Sequence, residues 1–348
     1  MVSLKKSRRP RARSHSGVAR TANTVVIPDT MRAAVIDHFG DAGVFSIETI
    51  PVPQPNAHEV LVALDVTGVG SWDPELRSGK WAEGETEFPL VLGIDGAGTA
   101  VAVGASVNDI APGERVYSYS FENPKGGFYA EYVVVPGSSV ARVPANLDST
   151  HAGAIPAIGL TALQGVDDAL GITAGESVII HGASGNVGML AVQFAKLRGA
   201  RVFAIASGPD GVELARRLGA DEAVDGRADG LDAALDRFAP DGVDAVLAFA
   251  GGPELTIALD AVKKGGRLAY PNGIEPEPRK RRGLRIKSYD ALSGARQMEH
   301  LGAAIAESHL EVPIAAVYPL AEVARAHEHI ERGHVLGRVV LDVSARRL

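Results

Sequence analysis

His181-Gly182-Ala183-Ser184-Gly185-Asn186-Val187-Gly188 stands between two stretches of different character. Ahead of it, Ser177-Val178-Ile179-Ile180-His181 is a short apolar run with no polar alternate face, which suits a strand covered on both sides. Behind it, Val187 to Leu197 carries a helical pattern. Glycine at 182 allows a tight turn, glycine at 185 lets backbone approach a pyrophosphate, and glycine at 188 lets the helix pack closely on the strand. The start of that helix offers unpaired N–H groups and the positive end of its dipole. Strand, glycine turn and helix together predict a dinucleotide phosphate site made by Gly182, Ala183, Ser184, Gly185, Asn186, Val187 and Gly188.

Downstream the alternation continues. Arg201 to Ala206 reads as a strand, Val212 to Leu218 as a helix, and Val243 to Phe249 and Gly266 to Tyr270 as further strands, which makes a doubly wound parallel sheet. Residues 150–170 read as one apolar helical stretch leading into it. Upstream the rhythm is different: Arg32–Ile36, Val60–Leu64, Gly98–Val103, Arg115–Tyr117 and Tyr132–Val135 are closely spaced strands with little helix between them, as in a barrel-like unit. The chain closes with a helix from Ala321 to Arg332 and a strand from Arg338 to Asp342, which we expect to return to the first unit. The predicted class is α/β. A mostly β catalytic domain spans 31–148 and 312–348, and a dinucleotide-binding Rossmann domain spans 149–311.

Composition sets the frame for these units. The 348 residues are 46% apolar and 22% charged, a balance expected of a soluble globular protein with more than one core. There is no cysteine, so disulfides and cysteine-containing zinc sites are excluded. No run of about 18 apolar residues and no signal-peptide core is present, so no membrane partner and a cytoplasmic location are expected. Residues 1–30 carry a net charge of +6 within a chain of −7, and are read as a disordered basic extension. The remaining −13 argues against nucleic-acid binding by the folded part. Arg279-Lys280-Arg281-Arg282 is read as a solvated loop. His327, His329 and His334 lie at spacings of two and five, which do not share a helical face, and no metal is expected there.

The end of the second strand selects the cofactor, because an acid there bonds the ribose hydroxyls of NAD. Here that position is Ser207, followed by Gly208, which favours NADPH over NADH. Asp210 opposes that preference, with no basic residue along the chain before Arg216. The turns at Ala250-Gly251 and Asn272-Gly273 follow later strands and are expected to face the ribose and nicotinamide.

Laid out in this way, the chain resembles the medium-chain dehydrogenase/reductase superfamily, in its zinc-independent quinone oxidoreductase-like branch. The resemblance is carried by Gly93–Gly98, Gly113–Val116, Gly127–Tyr132, Gly159–Ala162, the Gly182–Gly188 turn and Arg217–Asp221, and runs from about Met31 to Val343. It implies a GroES-like catalytic domain, a cleft between the domains, a small-molecule substrate and a homodimer formed through the Rossmann sheet edge. In zinc-dependent members a cysteine stands at Gly70 and a histidine at Ile94, so zinc is not expected here. Hydride transfer to a quinone or an activated alkene (an enone or enal) remains. The resemblance also places Thr161 near the cofactor, an asparagine at Gly70, a lysine at Gly211 in NADPH-specific members, and at Trp81 a tyrosine that serves enoyl-thioester reductases as proton donor. Arg77-Ser78-Gly79 matches the family, with Arg77 read either as functional or as a surface residue. Asp73 is expected to be a solvated, ionised loop carboxylate and hence a poor acid, and Tyr119 a half-buried aromatic near the cleft. No catalytic residue is assigned. The alternatives are a dedicated tailoring or enoyl reductase, and a dinucleotide-binding protein with little turnover.

Overall fold

A computed structural model describes residues 26–82 and 85–344. Most of the basic extension, 1–25, and the last four residues lie outside this description. In the first part of the chain run β1 (Thr30–Ile36), β2 (Phe45–Pro51), β3 (Glu59–Val69), a short helix α1 (Asp73–Arg77), β4 (Leu90–Val91), β5 (Asp95–Val103), β6 (Arg115–Tyr119), β7 (Tyr132–Pro136) and β8 (Val140–Arg142). Then follow α2 (Ser149–Ala154), α3 (Pro156–Gln164), β9 (Ser177–His181), α4 (Gly188–Leu197), β10 (Arg201–Ala206), α5 (Gly208–Arg217), β11 (Glu222–Asp225), α6 (Leu231–Phe238), β12 (Val243–Ala248), α7 (Pro253–Asp260), β13 (Val262–Pro271), β14 (Arg285–Tyr289) and α8 (Ala295–Ala306). The described chain ends with β15 (Ile314–Pro319), α9 (Val323–Glu331) and β16 (Arg338–Asp342).

The Val/Ile-rich strand β9 is buried along its whole length, at the centre of a parallel sheet ordered β11-β10-β9-β12-β13-β14. The chain moves outward from β9 through β10 and β11, then crosses back to β12 and continues the other way. The topological switch point therefore lies between the carboxyl ends of β9 and β12, the place where such sheets leave a crevice for ligands. This is a Rossmann-like doubly wound sheet, and with the first part of the chain it gives an α/β fold.

The other hub is β3, which pairs antiparallel with β5, β7 and β16 and is buried on both faces. Its sheet runs β15-β16-β3-β5-β6-β8, so the last strand of the chain lies against the third. A small sheet of β2, β1 and β4 completes this half.

Several elements depart from the sequence reading. The stretch 150–170 is not one helix. Asp148 caps α2, Pro156 starts α3 anew, and a π-helical turn over Gly165–Leu170 stops at Gly171 in the left-handed region. α5 starts at Gly208 rather than Val212, because Pro209 fits a first helical turn and does not prolong a loop. Strands β2 and β14 show no continuous apolar run in the sequence because they lie largely exposed. β14 is the edge of the parallel sheet and carries exposed Arg285 and Lys287, a charged edge of the kind that blunts uncontrolled pairing.

Candidate functional site

β9 runs into Gly182, whose φ of 79° suits glycine alone among common residues. The N–H groups of Gly182 and Ala183 both reach the Ile205 carbonyl of β10 at 3.0 Å, and Gly185 N–H closes the turn on the Gly182 carbonyl at 3.1 Å. A Cβ at Gly188 would overlap that same carbonyl and lie 2.8 Å from the Ala183 Cα. Glycine is thus what lets α4 start this close to the strand. α4 begins without a side-chain cap; the N–H groups of Met189, Leu190 and Ala191 bond the Gly185 and Val187 carbonyls, which leaves that of Gly188 and the positive end of the helix dipole for an anion. His181 is kept neutral by burial and bonds the Ala250 carbonyl through Nδ1 at 2.9 Å, tying the turn to the one after β12.

These turns line a cavity of about 360 Å³. Of the residues predicted from sequence, Gly182, Ser184, Gly185, Asn186, Val187, Gly188, Ser207 and Ala250 are on its wall. Ser71, just beyond β3, and residues 333–336, just before β16, close it from the other half of the molecule. A larger cavity of about 700 Å³, between β8 and α8, shares no residue with the glycine turn and offers no comparable anion cradle.

The remaining predicted residues sit apart from that wall. Ala183 is fully buried behind the turn. Thr161 spends its hydroxyl on the Ala157 carbonyl of its own helix, at 2.8 Å. Gly251 backs onto the 275–276 loop, and Asn272 donates to Asp290 at 2.7 Å. Gly273 faces the Trp81 ring, and Gly208 lies against His334.

Several cavity residues escaped the sequence reading: Ser71, Phe249, Ile330, residues 333–336 and Arg227. Arg227 follows β11, and β11 lies parallel to β10 with Asp225 opposite Ala206, so residue 227 comes alongside residue 207. Counting basic residues along the chain could not find it; the signal was a third strand after α5. At the same end, His334 holds the Asp210 carboxylate through Nε2 at 3.0 and 3.1 Å, and that bond keeps Asp210 below the usual carboxylate range.

The corner between β3 and α1 corrects two expectations. Asp73 is fully buried, not a solvated loop charge. Its Oδ2 accepts Gly70 N–H at 2.6 Å and Tyr129 O–H at 2.9 Å, while Oδ1 finds no hydrogen-bond partner. Burial pushes its pKa up to about 7 against these bonds and the pull of Arg338. Arg77 is also buried, at 2% exposure, and it is no surface residue. It donates to His327 Nδ1 at 3.1 Å and to Glu331 at 2.6 Å. His327, held neutral by burial and by Arg77 with a pKa of about 3, completes a chain to the Tyr129 hydroxyl at 3.3 Å. The His327–Arg77 bond makes Nδ1 an acceptor, so Nε2 carries the proton.

A second buried pair lies beside it. Arg338 donates to Asp95 Oδ1 at 2.8 Å, both side chains being wholly inaccessible, and Asp95 Oδ2 accepts Ala157 N–H at 3.0 Å. Gly68 makes the room, since a Cβ there would run into the Arg338 guanidinium. Position 70 has a comparable reason for glycine: any Cβ would enter the indole of Trp72. That ring also carries the Arg338 guanidinium 5.2 Å from its centroid. Neither Gly70 nor Ile94 can bind a metal through its side chain, so the residues here do not fit a catalytic zinc site. Tyr119 is half-buried, and burial together with Asp95 and Asp290 pushes its phenol up to about 12, leaving it a neutral donor. Trp81 and Phe121, partly exposed with ring centroids 6.3 Å apart, stand beside the Gly273 turn.

Among the described residues no helix is long and apolar enough to cross a membrane. Residues 56–145 match the alcohol dehydrogenase GroES-like domain family, and residues 218–341 match the zinc-binding dehydrogenase family. The chain is 30% identical over 324 residues to quinone oxidoreductase of Lama guanicoe, covering 89% of this chain and 97% of the relative. It is 29% identical over 343 residues to a chloroplastic NADPH-dependent alkenal/one oxidoreductase of Arabidopsis thaliana, covering 95% and 84%. It also superposes on the crystal structure of an NAD-dependent alcohol dehydrogenase with a TM-score of 0.82 and 33% identity, covering 90% and 100%.

Proposed function

The chain belongs to the medium-chain dehydrogenase/reductase superfamily, in its quinone oxidoreductase-like branch, and on that premise we propose that it is a zinc-independent, NADPH-preferring reductase of quinones or activated alkenes. The observation that carries the reading is the cavity at the switch point, where the Gly182–Gly188 turn faces Ser71 and residues 333–336 of the other half. We divide the chain accordingly into a catalytic domain, 31–148 with 312–348, and a dinucleotide-binding domain, 149–311.

The backbone of Gly182–Gly188 and the uncapped start of α4 would hold the pyrophosphate, with Ser207 and Arg227 at the adenosine end and the Ala250 turn toward the nicotinamide. When bound, the cofactor supplies the hydride. This chain's own residues do the rest. Trp72 fills the space above Gly70 where related enzymes place a ligand, so substrate polarisation falls to hydrogen-bond donors rather than a Lewis acid. We assign that role to the Tyr119 phenol, which stays neutral. We assign the outer approach to the exposed pair Trp81 and Phe121, where aromatic rings favour planar apolar acceptors. The similarity to a quinone oxidoreductase and to an alkenal/one oxidoreductase supports the same substrate range.

The test is a titration of the purified chain with NADPH and NADH, followed by addition of a quinone and then an enone. Acceptor-dependent oxidation of NADPH is the expected result. Tight binding without oxidation by either acceptor would overturn the substrate assignment, and absence of binding would overturn the cavity assignment.

A further inference from the structure

We propose that cofactor choice in this protein is set across the cleft: His334 occupies the Asp210 carboxylate, and by doing so it allows Ser207 and Arg227 to receive the 2′-phosphate of NADPH. The inference rests on the dinucleotide assignment of the cavity above and adds to it the residues that discriminate.

Two opposed charges stand near Ser207, Arg227 on the cavity wall and Asp210 in contact with His334 of that wall. Arg227 is a fixed cation on the cavity wall, with a planar fork suited to a phosphate. Asp210, three residues beyond Ser207 in the first turn of α5, is an anion that would repel the phosphate and would accept ribose hydroxyls. Left free, Asp210 makes this end an NADH site despite the serine.

The structure does not leave it free. Both carboxylate oxygens lie 3.0 to 3.1 Å from His334 Nε2, and Oδ1 also accepts the Gly211 N–H at 2.9 Å. His334 comes from the loop between α9 and β16, the opposite wall of the cleft, and lines the same cavity. It is the one non-glycine residue with positive φ among the described residues, at 52°. A backbone held in that region needs a reason, and the contact with Asp210 is the one it makes. The partner loop is shaped to match. Gly208 has φ 75°, and a Cβ there would lie 2.9 Å from Asp210 Oδ1 and 3.1 Å from the His334 ring. Glycine at 211 fits the same arrangement, since a Cβ would meet Ser184 Oγ at 2.9 Å. The cation that discriminates therefore comes from Arg227, with His334 as the positioning residue that takes up the Asp210 oxygens.

Dissociation constants for NADPH and NADH, read by quenching of protein fluorescence on the full chain, test this. Wild type should prefer NADPH. R227A should weaken NADPH about tenfold, the worth of one charge-assisted hydrogen bond, and leave NADH unchanged. H334A should weaken NADPH by a similar factor without weakening NADH, and D210N in the H334A background should restore NADPH binding. A merely structural role for His334 would weaken both cofactors alike with no rescue by D210N, and that result overturns the proposal, as does an R227A variant with unchanged NADPH affinity. Wild type that binds both cofactors with a preference untouched by these variants sinks the proposal and keeps the cavity assignment; wild type that binds neither sinks both.

Discussion

The two walls of the cleft are built by opposite means. The Gly182–Gly188 wall is made by backbone: two N–H groups on one carbonyl, a helix start with no cap, and no side chain where Gly188 meets the strand. Beneath the opposite wall, at the end of β3, lie buried ionisable groups, with His327 neutral among them: Asp73, Arg77, Asp95, His327 and Arg338. The first is local and admits no added atom at Gly188. The second joins residues far apart in the chain, 250 positions for Arg77 with His327 and 243 for Asp95 with Arg338. Removing a partner from the second wall should therefore act on stability, and crowding the first should act on the cofactor.

The largest effect expected from that contrast is at Arg338. Replacing it by methionine leaves Asp95 buried and without its cation, which costs about 3–5 kcal/mol of stability. A second change, Asp95→Asn in the same chain, should recover part of that loss, because an amide carries no charge to desolvate. Urea unfolding of the three variants measures both steps. A single Arg338→Met costing under about 1 kcal/mol would mean that the pair contributes little and that the second wall is not held by charge.

Asp73 gives an effect of similar origin that is visible through pH. Its ordinary value of 3.8 is raised to about 7, so between those values the native state binds a proton that the unfolded chain has released. The stability this proton contributes is fully present below about pH 4 and is lost as pH rises toward 7, a change of up to about 4 kcal/mol. Asp73→Asn cannot titrate, so wild type minus variant stability should fall across that window. Parallel profiles for the two proteins from pH 4 to 8 would show that Asp73 is not held as the buried acid described here.

What the sequence disclosed follows the same division. The glycine turn was readable because each glycine answers a backbone need a few residues away, and the parallel sheet because β9, β10 and β12 are apolar on both faces. Asp73 and Arg77 were not, because α1 looks like a charged loop, Asp-Pro-Glu-Leu-Arg, until α9 is packed against it. Burial of a charge is a property of its distant partner. Arg227 was hidden for a related reason: its neighbourhood with Ser207 exists only across paired strands. Gly70 is the intermediate case, since the glycine was noticed and the resemblance gave it a meaning as a lost ligand, yet its physical cause lies two residues away in Trp72.

That last pair offers the smallest effect. A Cβ at position 70 would lie 2.7 Å from Trp72 Cδ2 and closer still to neighbouring ring atoms, and Gly70 N–H must stay where Asp73 Oδ2 accepts it. Gly70→Asn should therefore cost about 1–3 kcal/mol, the range for overpacking a closed site. In a Trp72→Ala background the indole is gone and the same change should cost almost nothing, so the two substitutions should show a coupling energy of about the same size. Equal cost in both backgrounds would mean that Trp72 does not define the space above Gly70. The coupling, if found, makes glycine at 70 and tryptophan at 72 a single structural choice: an indole in place of a polar side chain on the cleft floor, which turns the β3 end from a ligand-bearing wall into an aromatic one.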